Sequence, residues 1–255
     1  MMKKRLIMLA VVLPLLLLSC DENEMGGGDD DGGYGDLLGT IGSTVNGQVT
    51  FYDGYDADSV AYYAPEIENG WYKCAVSENK LREFPPQSAA EITCNGKTIR
   101  VLVTDLCPNS ENSHWTSQAD YYFDLGKNAF AALEDTVNGH INVSITKIAY
   151  QTSKNIRFQE KPSNGNGYYI AGRFYNMRYP LAKVEVSSDG KNYTQMQRMA
   201  KENNWWELQY SSGGLDSRSF YFRLTDVYDH TITSSTAMTF SAASSSNGIG
   251  TNFPY

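Results

Sequence analysis

Asn95-Gly96 separates Glu91-Ile-Thr-Cys94 from Thr98-Ile-Arg-Val-Leu-Val-Thr104, two runs rich in β-branched residues. Asn and Gly tolerate the positive φ that both central positions of a tight hairpin turn demand, so the stretch predicts two antiparallel strands in a fixed register. The same period of two recurs in Gln48-Val-Thr-Phe-Tyr52, which stops at Asp53-Gly54, and in Ile141-Asn-Val-Ser-Ile-Thr146. Only Lys127 to Leu133 reads convincingly as helix. Residues 46–152 are therefore expected to form a compact β-barrel with one helical turn beside its loops.

Residues 153–240 keep the β rhythm with other turns: Asn164-Gly-Asn-Gly167, Ser188-Asp-Gly190, Ser212-Gly-Gly214 and Tyr228-Asp229. Strands spaced about 8–15 residues apart, with no helical signal, predict a β-sandwich. Almost no linker separates it from the barrel near Thr152, so the two domains are expected to abut. Residues 241–255 are Ser-rich and expected to be a loosely ordered tail. The fold class is mainly all-β.

The N-terminus stands apart from the fold. Lys3, Lys4 and Arg5 precede an apolar run from Leu6 to Leu18 and then Ser19-Cys20. A basic start, a short apolar core and a lipobox-like end make residues 1–19 a lipoprotein signal peptide, with Cys20 the lipidated first residue and the membrane anchor. Residues 20–45 are Gly/Asp-rich and read as a solvated linker. Acids directly behind Cys20 resemble a surface-export signal, so display at the cell surface is expected. The full chain carries net charge −8; losing three bases with residues 1–19, and setting aside seven acids in the linker, leaves about −4 on residues 46–255. No basic stripe suggests a nucleic-acid partner. His114, His140 and His230 are scattered without metal-ligand spacing, so no metal and no cofactor are implied. In an exported chain, Cys74, Cys94 and Cys107 allow one disulfide with one thiol left over, and the sequence does not choose the pair.

Two carboxylates sit in apolar surroundings, Asp105 in Val103-Thr-Asp-Leu-Cys-Pro108 and Asp124 in Tyr122-Phe-Asp-Leu-Gly-Lys-Asn-Ala-Phe130. A carboxyl partly removed from water keeps its proton to higher pH, as a group acting on a glycosidic oxygen must. A structural duty competes with this: an Asp at a strand end satisfies loop amides, and an Asp ahead of a helix caps it. Tyr168-Tyr169 and Trp205-Trp206 are aromatic doublets. Flat rings stack on the apolar faces of sugars at low entropic cost. Alternation buries one member of a doublet, here expected to be Trp206.

Taken in order, these segments resemble a bacterial expansin. Gly47-Gln-Val-Thr-Phe-Tyr52, the Thr104-Asp-Leu-x-Pro108 strand end and the Phe123-Asp-Leu-x-x-x-Ala-Phe130 turn into a helix are similar to the family's double-psi β-barrel. Tyr168-Tyr-Ile-Ala-Gly-Arg-Phe-Tyr-Asn-Met-Arg-Tyr-Pro180, Val186-Ser-Ser-Asp-Gly-Lys-Asn-Tyr193 and Phe222-Arg-Leu-Thr-Asp226 are similar to its carbohydrate-binding, immunoglobulin-like sandwich. The resemblance makes Asp124 the key groove residue with Asp105 and Thr50 around it, and Tyr168, Tyr169 and Trp205 the sugar platform. Cys107 stands where family members often have Tyr, Gly126 where Ser is common, and Tyr122 in place of a His frequent in plant members.

The resemblance implies loosening of cell-wall polysaccharide without hydrolysis, through binding of cellulose or a related β-glucan, by a monomer. A glycosidase needs a second carboxyl across the scissile bond. Asp53 is the nearest candidate base, but it lies one residue short of the position used by hydrolytic cousins, and such an offset reverses a strand side chain's facing. Two alternatives stay open: a β-1,4-glucanase or peptidoglycan lytic transglycosylase on the same barrel, and a surface adhesion lipoprotein whose groove is inert.

Overall fold

The computed structural model describes residues 39–53, 66–161, 169–199, 204–209, 219–239 and 246–255. Cys20, the signal segment and Tyr168 lie outside the described residues. Six strands, β1 (Thr44–Tyr52), β2 (Trp71–Ser77), β3 (Ala89–Cys94), β4 (Lys97–Cys107), β5 (Tyr121–Gly126) and β6 (His140–Ile148), close into a barrel in the order β1-β5-β2-β4-β3-β6. The β1/β5 and β2/β4 pairs are parallel and the others antiparallel, giving the double-psi barrel the sequence resemblance implies. Asn95 (φ 48°) and Gly96 (φ 78°) form the turn between β3 and β4.

Inward side chains fill the barrel. Val49, Val76, Ile92, Val101, Val103, Phe123, Leu125 and Ile145 are fully buried. Helix α2 (Lys127–Leu133) adds Ala129, Phe130 and Leu133 to this core, over the range expected for it. Before it comes a helix that the sequence reading did not anticipate, α1 (Asn109–Thr116). Thr116 is its one buried residue and Asn112 breaks its helical geometry (φ −130°, ψ 34°), so it has no apolar stripe to betray it. Polar ties hold it instead: Asn109 N–H donates to Glu78 Oε2 at 2.7 Å, and Asn79 Nδ2 donates to the Thr116 carbonyl at 2.5 Å.

The second region is a sandwich of two antiparallel sheets. Its strands are β7 (Arg157–Glu160), β8 (Tyr169–Tyr175), β9 (Leu181–Ser187), β10 (Thr194–Gln195), β11 (Gln197–Arg198), β12 (Trp206–Gln209), β13 (Ser219–Asp226), β14 (Thr231–Thr233), β15 (Met238–Thr239) and β16 (Ser246–Gly248). One sheet runs β10-β9-β13-β14, with β15 also on β13, and the other β11-β12-β8-β7-β16. Phe158, Phe174 and Phe222 meet between the sheets with ring centroids 4.8–5.4 Å apart. Barrel and sandwich touch directly: Tyr150, whose ring meets Trp71 of the barrel edge-on at 4.8 Å, donates its N–H to the Arg178 carbonyl at 2.9 Å.

Two expectations are corrected. Residues 246–255 are not a loose tail: β16 pairs with β7, and Ile249 (2% exposed) and Phe253 (0%) are core residues of the sandwich. Asn252 Nδ2 also donates to the Lys154 and Asn176 carbonyls at 2.8 Å each. Serine-rich composition hid two apolar anchors and an edge strand whose partner lies far away in sequence. Nor does any cysteine pair form among the described residues: Cys74, Cys94 and Cys107 are all free and buried. Cys74 points into the barrel core, with its thiol 3.6 Å from the Leu102 carbonyl, whereas Cys107 packs outside it with Ala75 and Tyr121. Cys94 belongs to the barrel core on a third strand.

Candidate functional site

The register across β1, β5, β2 and β4 lines up four residues. Thr50 pairs with Asp124, Asp124 with Ala75, and Ala75 with Asp105. Paired residues share a sheet face, and the neighbours Val49, Phe123 and Val76 point into the barrel, so this row faces outward. The two carboxylates, both partly exposed, flank Ala75, which is buried and packs with Cys107 and Tyr121. A register irregularity passes over Thr104, opposing Val103 to Cys74 and Asp105 to Ala75. Such bulges re-aim a side chain, and this one brings Asp105 onto the Asp124 face. Asp105 Oδ1 accepts from the Leu106 N–H at 2.9 Å.

A second irregularity, where Gln48 pairs with Tyr121 and Val49 with Phe123, passes over Tyr122. It turns Tyr122 (6% exposed) into the barrel core and aims Tyr121 at the row. Simple alternation counted back from Phe123 gives the opposite facing, which is why the sequence did not single out Tyr121. Its hydroxyl lies 3.0 Å from Thr50 Oγ1 and 3.6 Å from Cys107 Sγ. Thr50 Oγ1 donates to Asp124 Oδ1 at 2.8 Å. A hydroxyl has one proton, so Thr50 accepts from Tyr121, and Tyr121 in turn accepts from the Cys107 thiol. The result is a directed chain from Cys107 through Tyr121 and Thr50 to Asp124. Cys107 is thus the buried end of this relay.

Burial, reinforced by the Asp105 charge and opposed by the Thr50 hydrogen bond, pushes the Asp124 carboxyl up to about 6. Burial first, then the Asp124 charge, holds the Tyr121 phenol far above its ordinary range; burial with Asp105 and Asp124 does the same to Tyr52. Burial raises the Cys107 thiol to about 11. The two phenols and the Cys107 thiol therefore stay protonated near neutral pH. Trp115, also absent from the sequence reading, packs from α1 beside this cluster, 6.1 Å from the Tyr121 ring and 5.3 Å from His140.

Asp53 directly follows Tyr52, the last residue of β1. Its carboxylate is 72% exposed and paired with Lys127 Nζ at 2.9 Å, on the rim of a cleft of about 410 Å³ shared with Tyr52, Trp71 and Lys73. On the sandwich, Trp206 is buried (4% exposed) and Trp205 is partly exposed. Tyr169, partly exposed, donates its hydroxyl to Glu207 Oε2 at 2.7 Å. The Trp205 ring has the Arg173 guanidinium 4.5 Å from its centroid and Lys161 Nζ at 5.4 Å.

No protein-family model matches the chain. Among curated proteins, Expansin-like protein 6 of Dictyostelium discoideum is 27% identical over 49% of this chain and 42% of its own length. Expansin-A7 of Arabidopsis thaliana is 26% identical over 75% of this chain and 71% of its own. Expansin-YoaJ of Bacillus subtilis is 25% identical over 68% of this chain and 63% of its own. The chain therefore spans less than two thirds of the length of two of these three relatives. Among solved structures, the apo expansin of Clavibacter michiganensis superimposes with a TM-score of 0.68 at 17% identity, covering 84% of this chain and 99% of that one. An aspartate-to-asparagine variant of Clavibacter michiganensis expansin in complex with cellohexaose gives the same TM-score, 0.68, at 16% identity.

Proposed function

We propose that this chain, an expansin-like protein of barrel and sandwich, binds cellulose or a related β-glucan and loosens its packing without cleaving it. The row Thr50–Asp124–Ala75–Asp105 carries the reading. Both carboxylates rise from one sheet face and both are partly exposed, so a glucan laid along that face meets them from the same side. Hydrolysis needs carboxyls placed across the scissile bond. Asp53, the candidate base among the described residues, is exposed and ion-paired with Lys127. Asp124, a protonated donor below about pH 6 and an acceptor above it, competes for the glucan's hydroxyls and so loosens interchain hydrogen bonds. The cellohexaose complex of the structurally similar Clavibacter protein supports a β-1,4-glucan ligand.

Tyr169 and Trp205 form the second contact in this reading, rings stacking on sugar faces, with Tyr168 beside them in sequence. Cys20 anchors the exported protein by lipid at the cell surface, and it works there as a monomer. One observation favours the rival glycosidase: a carboxyl raised to about 6 also suits a general acid. Pull-down on cellulose and mixed-linkage β-glucan tests the binding half. Tyr169→Ala and Trp205→Ala are each expected to weaken retention about two- to tenfold, in line with the energies of single aromatic contacts. Unchanged retention in both variants would remove the platform from the account.

A further inference from the structure

Strand pairing carries the groove row one strand further than Thr50. That residue faces His140, the first residue of β6. One outward row therefore crosses five neighbouring strands as Asp105, Ala75, Asp124, Thr50 and His140. Ile141, next along β6, packs against the barrel core, which turns the His140 side chain out to solvent, where it is exposed. Four inter-strand spacings make the row about 19 Å long, measured along the sheet. Trp115 packs at its β6 end. The indole centroid lies 5.3 Å from the His140 ring and 6.1 Å from the ring of Tyr121, whose hydroxyl meets Thr50. His114, also exposed, meets the indole edge-on at 5.0 Å. A helix held by its own packing would bury its tryptophan, yet α1 buries only Thr116 and leaves Trp115 partly exposed. Its polar ties to Glu78 and Asn79 fix the helix at both ends, so the indole is in place before a ligand arrives.

We infer that Trp115 and His140 form an end subsite of the barrel groove: a β-1,4-linked glucan laid along the row stacks one sugar on the indole and hydrogen-bonds His140, while its other sugars lie over Asp124 and Asp105. The inference rests on the barrel row being the glucan groove proposed above, and it adds an aromatic contact on the barrel itself. Asp105, Asp124 and Thr50 offer a sugar only polar contacts, which exchange for water at little net gain. An indole adds a flat apolar surface for the C–H face of a hexose, and imidazole nitrogens both give and take hydrogen bonds with hydroxyls. Placed at one end of the row, this pair fixes where the chain stops and which sugar comes to rest over Asp124.

The test titrates the full-length chain carrying Cys20→Ser and Trp205→Ala with cellohexaose, so that binding reports the barrel and not the sandwich. It follows the indole N–H and aspartate carboxyl NMR signals, with the Trp115 signal assigned as the one lost in Trp115→Phe. The Trp115 indole and the Asp124 carboxyl are expected to shift together with one midpoint. Trp115→Ala should weaken binding about tenfold, the upper end for a single aromatic contact, with Trp115→Phe recovering part of the loss. His140→Ala should weaken it about threefold, the size of one net hydrogen bond. A shift at Asp124 with Trp115 unmoved, or native affinity in both alanine variants, overturns the inference and leaves the proposed function standing. No shift at either residue counts against the groove reading itself, and the inference falls with it.

Discussion

Thr50 gives its only hydroxyl proton to Asp124, across a 2.8 Å hydrogen bond between two parallel strands. That bond opposes the burial that raises the Asp124 carboxyl, and it commits Tyr121 to donating to Thr50. The groove's acidity is therefore set by its neighbours, and its consequences can be measured.

The first concerns stability against pH. The folded state raises Asp124 from an ordinary 3.8 to about 6, so it holds that proton more tightly than the unfolded chain does. The group's contribution is fully favourable below about pH 4 and is lost as pH rises through about 6, amounting to roughly 3 kcal/mol. Asp124→Asn does not titrate. Urea unfolding should find it about as stable as the native protein near pH 4 and roughly 3 kcal/mol more stable near pH 8. A gap that fails to widen with pH would remove the ionised, buried carboxylate from the account.

Thr50→Val keeps the shape and deletes the donor. Asp124 then loses the interaction that lowers its pKa, and the Tyr121 hydroxyl loses its acceptor. The Asp124 midpoint, followed by carboxyl NMR, should move above its native value, at a cost of about 1–3 kcal/mol in stability. A midpoint unchanged or lowered would contradict the directed chain.

The thiols give a third. With Cys20 replaced, three thiols should react with Ellman's reagent in denaturant and none rapidly in the native protein, because Cys74, Cys94 and Cys107 are buried and unpaired. One reactive thiol in denaturant would mean a disulfide.

Phe253→Ala tests the C-terminal segment. A fully buried aromatic in the sandwich core should cost about 3–5 kcal/mol on truncation. A change below about 1 kcal/mol, ordinary for an exposed site, would return residues 246–255 to the status of a tail.

What the sequence disclosed and what it concealed follow one physical division. The Asn95-Gly96 hairpin and the Lys127–Leu133 helix were legible because local chemistry decides them. Thr50, Asp105 and Asp124 were legible as candidates, but not their alignment over Ala75, which depends on a bulge in the β2/β4 pairing. Tyr121 was lost to the other irregularity, and Trp115 to a helix with no apolar face. Arg173 and Trp205 lie far apart in the chain, so the cation–ring contact between them was not legible. Cysteine count and export context permitted a disulfide; strand geometry separates the thiols.

The central claim is a groove that acts without cutting, and it is tested most directly by one measurement on cellulose paper: loss of tensile strength, recorded together with new reducing ends, for the native protein and Asp124→Asn. Weakening by the native protein, no reducing ends above the blank, and loss of weakening in the variant is the result predicted here. Reducing ends that accumulate with the native protein and vanish with Asp124→Asn would make the chain a glycosidase and contradict the account.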